Sequence, residues 1–437
     1  MSPEGRARFG RRLGRSDKSH FALAVPERPL PLAAVYFLRR DGHDVTVVER
    51  RSGVAQETSF ANAGVLAPSY VAPWSQPGMQ AKVFSYLFKA EAPVVFRPSL
   101  DPALWRWIAR WLGECRLERF TRNKARMQRL AFYSQAELRA LRALHKLDYE
   151  QTTGYLQLFR THIEVERSAI TRKMLAELGV EHRLLNTDEA HALEPALHGP
   201  TRLAGALHLP NDETGNCAFF AQQLKEIAIR DGVDFRFNVA AQSLRTELQR
   251  VTQLQTETGV VNGDAFVVAG GIDSVALLRP LGIRVPMQPV KGYSATASIT
   301  AFDHAPYISV MDETYKVAIT RMGKWLRIAG TAELGTRGMQ LRDSALRTLL
   351  KVAQDWFPYA ASYAKSRFWV GARPMLPDGP PVLGKTPINN LYVNTGHGST
   401  GWAMSCGSAR VVADVIAGRA PAIDLDGLTL DRYARSR

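Results

Sequence analysis

Three short stretches of this 437-residue chain hold the residues best suited to chemistry. The first is "VTVVE", an apolar strand that ends in Glu49, with Arg50 after it. A carboxylate at the end of the second strand of a βαβ unit can accept both hydroxyls of a ribose, although acids also cap strand ends without further purpose. The second is "VVAGGIDS" (267–274), where an apolar strand runs into Gly270 and Gly271. Glycines there let backbone approach a flat ligand closely; a plain tight turn is the bland alternative. The third is "LYVNTGHGSTGWAMSCG" (391–407), in which a strand meets a loop with Gly396, Gly398 and Gly401 and the loop opens a helix. Unpaired N–H groups at a helix start attract negative charge. Arg373 stands just upstream, in "GARPMLPDGPPVLGKTP" (371–387).

The surrounding elements must bring these stretches together. "AAVYFLRR" reads as an amphipathic helix leading through "DGHD" into the Glu49 strand. Residues 59–76 are Gly/Ala/Pro-rich and read as loop. Residues 102–146 read as helical, "GYLQLF" (154–159) as a strand, and "IEVERSAITRKMLAELG" as a helix closed by Gly179. "GALHLPNDETGN" (205–216) reads as a strand and a turn, and "CAFFAQQLKEIAIRDG" as a helix ending at Gly232. "VDFRFN" and "DAFVVAGG" read as strands, the second buried and parallel. Alternation over 291–335 predicts antiparallel sheet. The fold class expected is α/β: a Rossmann-like domain, discontinuous in sequence, and an α+β domain with antiparallel sheet.

Composition narrows the function classes. The chain is 46% hydrophobic and 22% charged, ordinary for a globular protein, with no apolar run long enough for a transmembrane helix. The formal charge is +15, which suits an anionic membrane surface or anionic substrates. No basic run interleaved with aromatics argues for nucleic acid. Cys115, Cys217 and Cys406 are far apart, so neither a disulfide framework nor a metal site is indicated, and a reducing cytoplasmic compartment is expected. Residues 1–20, Arg-rich and without an apolar stretch, read as a disordered leader.

Several segments together resemble one family: "ETSFANAGVLAPSYVAPW", "LQLFR", "LHLPNDETGNC", "DETYKVAITR", "RPMLPDGPPVLG" and "NTGHGSTGWAMSCGS". The chain is similar over residues 33–430 to the flavin-dependent D-amino-acid oxidase/glycine oxidase superfamily, nearest its bacterial D-amino-acid dehydrogenase branch. The resemblance implies FAD as cofactor and oxidative deamination of D-amino acids to 2-oxo acids and ammonia. It also implies electron transfer to a membrane quinone or similar acceptor, at the inner face of the bacterial plasma membrane. Oxidation of glycine, sarcosine or a D-imino acid is the alternative within the superfamily. The FAD-binding domain would comprise residues 21–66, 200–290 and 370–437, and the substrate domain 67–199 and 291–369.

Carried over by position, Glu49 and Arg50 would meet the adenosine. Ser59, Asn62, Ala63 and Gly64 would run along the pyrophosphate and flavin. Val239 would meet adenine through its backbone, and Gly270 and Gly271 would pass close to the cofactor. Gly396, His397, Gly398, Thr400 and Gly401 would face the flavin pyrimidine ring, with His397 contributing backbone rather than imidazole. Arg373 would clamp the substrate carboxylate, since a guanidinium pairs bidentately where lysine cannot. Tyr315 is a second candidate for that carboxylate.

One departure is severe. The family's strand–G-x-G-x-x-G–helix turn counts back from Glu49 to positions 26, 28 and 31, where this chain has Pro26, Arg28 and Pro31, with Pro29 between. Proline offers no N–H to a phosphate, and three prolines are expected to break the strand–turn–helix geometry. Three readings stay open: residues 1–32 reflect a shifted reading frame or mutation, the chain binds FAD weakly or not at all, or a binding protein reuses the fold. For the chain as written, the expectation is weakened FAD affinity.

Overall fold

The computed structural model describes residues 20–24, 29–79, 93–97, 99–197, 199–336 and 338–434. Most of the expected leader therefore lies outside the described residues, as do Pro26 and Arg28 of the altered turn. His20, the leader's last residue, already belongs to a strand.

A six-stranded sheet runs in the order Val382–Lys385, Leu391–Thr395, Ala265–Val268, His20–Ala24, Asp44–Glu49, Asp234–Phe237. All neighbours are parallel except the first pair. Parallel strands need cover on both faces, and this sheet has it. Helices Pro29–Arg40, Cys217–Arg230 and Gly401–Ile416 pack one apolar cluster on one face. A three-stranded sheet over 241–262 packs a second on the other. That layer has no counterpart in the sequence reading, because its strands are short and polar on one side.

The strand His20–Ala24 and the helix Pro29–Arg40 both form in spite of Pro29 and Pro31. The helix starts at Pro29, four residues before the periodic pattern suggests. A first-turn proline carries no intrahelical N–H bond and its fixed φ suits the helix, so Pro29 and Pro31 are tolerated there. The expectation that they break the unit is thus corrected for these two positions.

A ten-stranded sheet forms the other layer. Its main path runs Arg367–Met375, Gln288–Ser298, Trp325–Leu334, Val317–Met322, Ser309–Asp312, Thr152–Phe159, Gly205–Thr214, Val65–Leu66. The 291–335 region is antiparallel within itself, as alternation predicts, but Ser309–Asp312 pairs parallel with Thr152–Phe159. Helix Asp343–Trp356 covers one face through Leu349, Val352 and Trp356.

"PNDETG" is largely strand rather than turn, since Gly205–Thr214 runs unbroken to its end. Buried acids hold it: Glu213 pairs with Arg139 and Arg142, and Asp212 accepts the Ser69 hydroxyl at 3.0 Å. Burial pushes the Asp212 carboxyl up from 3.8 to about 7. The fold thus prefers its protonated form, and this group's contribution to stability is lost as pH rises from about 4 to 7. Asp212→Asn is expected to melt higher than the wild type at pH 8, with the difference shrinking towards pH 5. An equal difference at both pH values would contradict this assignment.

Candidate active site

In an open parallel sheet, ligands bind beyond the carboxyl ends of the strands. Those ends carry the residues singled out above. Glu49 closes its strand, is 2% exposed, and accepts the Arg51 N–H at 2.8 Å. Arg50 bridges Glu57 (3.1 Å) and Asp273 (3.0 Å), tying this end to the Gly270–Gly271 turn. Val239 follows the edge strand, but its N–H already bonds the Glu49 carbonyl at 3.0 Å, so only its carbonyl is left to meet a ligand. Thr395 Oγ1 donates to the Gly271 carbonyl at 3.1 Å and joins the second and third stretches.

The loop after Thr395 needs its glycines. Gly396 and Gly398 have φ of +81° and +57°, a region other residues adopt with strain. The His397 imidazole is buried and bonded to Ser408 Oγ at 2.9 Å, so it faces the helix and leaves backbone to the loop. Thr400 Oγ1 and both ends of the Asn394 amide are buried without a hydrogen-bond partner among the described residues. Buried polar atoms of this kind call for a ligand or water. Asn394 was not singled out in the sequence, where one asparagine in a strand carries no signal.

Segment 59–64 lies against the large sheet. Ser59 is buried, and Asn62 Oδ1 accepts the Gly64 N–H at 2.9 Å. Thr320 Oγ1 donates to the Ala63 carbonyl (2.9 Å) and Arg327 Nη1 to the Asn62 carbonyl (3.1 Å). Between the two sheets opens a cleft of roughly 230 Å³, lined among others by Arg50, Thr58, Gly270, Gly271, Lys291 and Ala372.

Arg373 stands on the first strand of the large sheet, and its guanidinium folds back over Gly292. It donates to the carbonyls of Thr331 (3.0 Å) and Lys291 (3.3 Å) and lies 5.7 Å from the Trp74 ring. Trp74 Nε1 in turn donates to Ser399 Oγ at 3.0 Å, which brings Arg373 beside the glycine loop. No carboxylate pairs with Arg373 among the described residues, and burial pushes it down from 12.5 to about 10. A partly buried cation without a counter-charge is disfavoured, and an anionic ligand relieves the cost. Gly292 makes room for it: a Cβ there would lie 2.3 Å from Arg373 Nη2. Gly292→Ala is therefore expected to raise the KM for a carboxylate substrate by about tenfold or more, the scale of one displaced charged contact. An unchanged KM would show that the guanidinium has room to spare. Thr331 sits at φ +49°, rare for a β-branched residue, at an irregularity in the strand register, and that turn aims its carbonyl at Arg373.

Tyr315 is not part of this group. Its ring packs with the cluster beneath helix Asp343–Trp356, 4.9 Å from the Arg160 guanidinium and 5.1 Å from Lys351 Nζ. The strand that follows it buries Val317 and Ile319 on that same side, away from Arg373. The suggestion of a second carboxylate contact is corrected accordingly.

The rim fits FAD except at one place. Glycine turns, the buried Asn394 and Thr400 groups, and the Glu49 carboxylate suit a flavin dinucleotide. The first turn of helix Pro29–Arg40 does not, because positions 29 and 31 lack the N–H a phosphate would use.

Comparisons with known proteins agree with this geometry. The chain is 46% identical over 407 residues to the D-amino acid dehydrogenase of Xanthobacter autotrophicus, covering 92% of this chain and 97% of that protein. It is 45% identical over 409 residues to the D-amino acid dehydrogenase of Vibrio cholerae, covering 93% and 97%. Among solved structures, glycine oxidase from Geobacillus kaustophilus superposes with a TM-score of 0.74 at 21% identity, covering 96% of this chain and all of that one. L-proline dehydrogenase from P. horikoshii gives 0.72 at 16%, covering 96% and 99%. Those two likenesses establish the fold alone. The family model described as "FAD dependent oxidoreductase" matches residues 32–415, beginning just past the Pro26–Pro31 segment. The chain belongs to the FAD dependent oxidoreductase family.

Proposed function

We propose that this protein oxidises D-amino acids to 2-oxo acids and ammonia and passes the electrons to a quinone-type acceptor. The observation that carries the reading is Arg373, a cation with no carboxylate partner among the described residues, set beside the glycine loop in a chain 46% identical to a D-amino acid dehydrogenase. When bound, FAD supplies the acceptor for the hydride that leaves the substrate Cα. The chain's own residues position the reactant. Arg373 fixes the carboxylate, and the Thr331 and Lys291 carbonyls fix Arg373. The N–H groups around Gly396–Gly401, at the start of a long helix, favour negative charge. Glu49, Arg50, Gly270, Gly271 and the Val239 carbonyl would hold the adenosine end, and segment 59–64 the middle. No side-chain base is required by this arrangement, since holding the reactant correctly supplies most of the rate.

The domain division is part of this reading with one change, that Gly205–Thr214 and Arg367–Met375 go with the ten-stranded sheet on the substrate side. So is a cytoplasmic protein touching the inner membrane face, supported by the basic surplus. The chain as written would hold FAD weakly, which Pro29 and Pro31 at the helix start support. D-amino-acid-dependent dye reduction with added FAD tests the reading: D-alanine is expected to drive it and L-alanine not. Bound FAD with no reduction by any D-amino acid would overturn it in favour of a binding role.

A further inference from the structure

Helix Pro102–Glu114 has two unlike faces. Inward, Leu104 and Trp107 are buried, Trp107 packs with Val290, Leu334 and Met375, and its Nε1 donates to the Met375 carbonyl at 3.1 Å. Met375 ends the strand that carries Arg373, so the helix is fastened beside the proposed clamp. Outward, Trp105, Arg106, Ala109, Arg110 and Leu112 are exposed. At helix spacing Trp105, Ala109 and Leu112 form one line, and Arg106 and Arg110 form the line next to it. No acid occurs from Pro102 to Gly113. The acids at the two ends are engaged: Asp101 caps the helix by accepting the Ala103 N–H at 2.8 Å, and Glu114 pairs with Arg119 at 2.8 Å.

The outward surface continues past the helix ends. Leu100 is 99% exposed just before it and Leu117 is 60% exposed just after. Arg97 and Arg116 are exposed at the same two ends. On one side the patch extends towards the cleft between the sheets. The Arg97 N–H bonds the Leu334 carbonyl at 2.9 Å, and Gly335 lies against the Arg97 carbonyl. On from this contact come Met339 and Leu341, both half-exposed, and Met339 lines the cleft. Single exposed apolar side chains are ordinary on a protein surface. A tryptophan and leucines aligned beside arginines, on a stripe without acids, are a different composition. Tryptophan suits the boundary between lipid and water, and arginine stems cross apolar surface to place charge at its edge. A helix of this make-up lies in the plane of an anionic bilayer, where the lipid phosphates supply the complementary charge.

We propose that helix Pro102–Glu114 seats the protein on an anionic lipid bilayer. Trp105 and Leu112, with Leu100 and Leu117 at the ends, enter the interfacial layer, while Arg106 and Arg110 meet the phosphates. Because the helix is fastened beside Arg373 and its surface runs on to Met339, docking turns the mouth of the cleft towards the membrane. That last consequence rests on the proposed quinone-type acceptor, which would then reach the cleft from the lipid without crossing water.

The test is co-sedimentation of the full chain with vesicles of phosphatidylcholine alone and of phosphatidylcholine with phosphatidylglycerol. Binding is expected on the anionic vesicles only, and to weaken as salt rises. Arg106→Glu with Arg110→Glu should weaken it by about tenfold or more, the scale of two basic side chains lost near a charged surface. Trp105→Ala with Leu112→Ala should weaken it at low and high salt alike. Arg167→Glu with Arg245→Glu makes the same charge change at exposed positions elsewhere and should leave binding as it is. Both helix variants should keep dye reduction by D-alanine with saturating FAD, which shows that they fold, and lose reduction of a quinone carried in the vesicles. A wild type that ignores anionic vesicles, helix variants that bind them as the wild type does, or an equal loss in the Arg167/Arg245 control overturns the docking surface. So does a wild type that self-associates through this helix and leaves the vesicles unbound. Sedimentation needs no turnover, so these outcomes leave the proposed reaction standing. Vesicle binding that depends on the helix, with dye reduced but vesicle-borne quinone untouched, overturns the orientation of the cleft along with the quinone reading.

Discussion

Glycine at positions 26, 28 and 31 is expected to tighten FAD binding by roughly a hundredfold or more relative to the chain as written. The argument is one of missing donors. A helix start presents up to four unpaired N–H groups, and in dinucleotide-binding βαβ units the pyrophosphate sits on them. Here the helix opens with Pro29 and has Pro31 in its first turn, so two of these donors are absent. Each hydrogen bond to a charged partner contributes about 1.5–3 kcal/mol, and about 1.4 kcal/mol is a factor of ten in Kd. Of these two helix donors Pro31→Gly restores one and Pro29 stays in place, Pro26→Gly adds a further backbone N–H just upstream in sequence, and Arg28→Gly restores close approach. The helix itself does not depend on the change, because glycine in the first turn keeps its geometry open. Titration of FAD against the triple variant and the unaltered chain, followed by quenching of flavin fluorescence, measures the difference. Kd values within threefold of each other would mean that the Glu49, Gly270 and Gly396–Gly401 rim holds FAD without that turn.

Arg373→Lys should lower kcat/KM for D-alanine by on the order of a hundredfold, mainly through KM, and Arg373→Met by more. Lysine keeps the charge but loses the planar fork that pairs a carboxylate bidentately. Removing one partner of a buried charged pair typically costs about 2–5 kcal/mol of binding. The sign for stability is opposite. Among the described residues no carboxylate stands beside Arg373, and burial lowers its pKa to about 10. Replacing it with methionine removes that unfavourable charge. Arg373→Met should therefore melt no lower than the unaltered chain while losing turnover. A variant that melts much lower would place Arg373 in the scaffold instead.

The sequence carried the ends of the parallel strands well. Glu49, Gly270 and Gly396 each follow a short apolar run, and the structure gathers these runs side by side. It also carried the helices closed by Gly179 and Gly232, whose φ values of +65° and +90° suit glycine. Register was not legible. Nothing in "VAITR" or "LRIAG" says that Ala318 faces Ala329, because pairing across strands is set by the whole sheet. Tyr315 misled for the same reason: a tyrosine before an alternating strand has an equal claim on either face, and packing beneath helix Asp343–Trp356 decided it. The prolines misled in a different way. Proline breaks helix interiors but suits first turns, so Pro29 and Pro31 spare the fold while removing the donors a phosphate needs.

The most direct test of the account is an anaerobic titration of the FAD-loaded protein with D-alanine and then L-alanine, read as bleaching of the visible absorption band of the oxidised flavin. D-alanine is expected to bleach the band fully, and L-alanine to leave it unchanged. A band untouched by D-alanine and other D-amino acids would contradict the account.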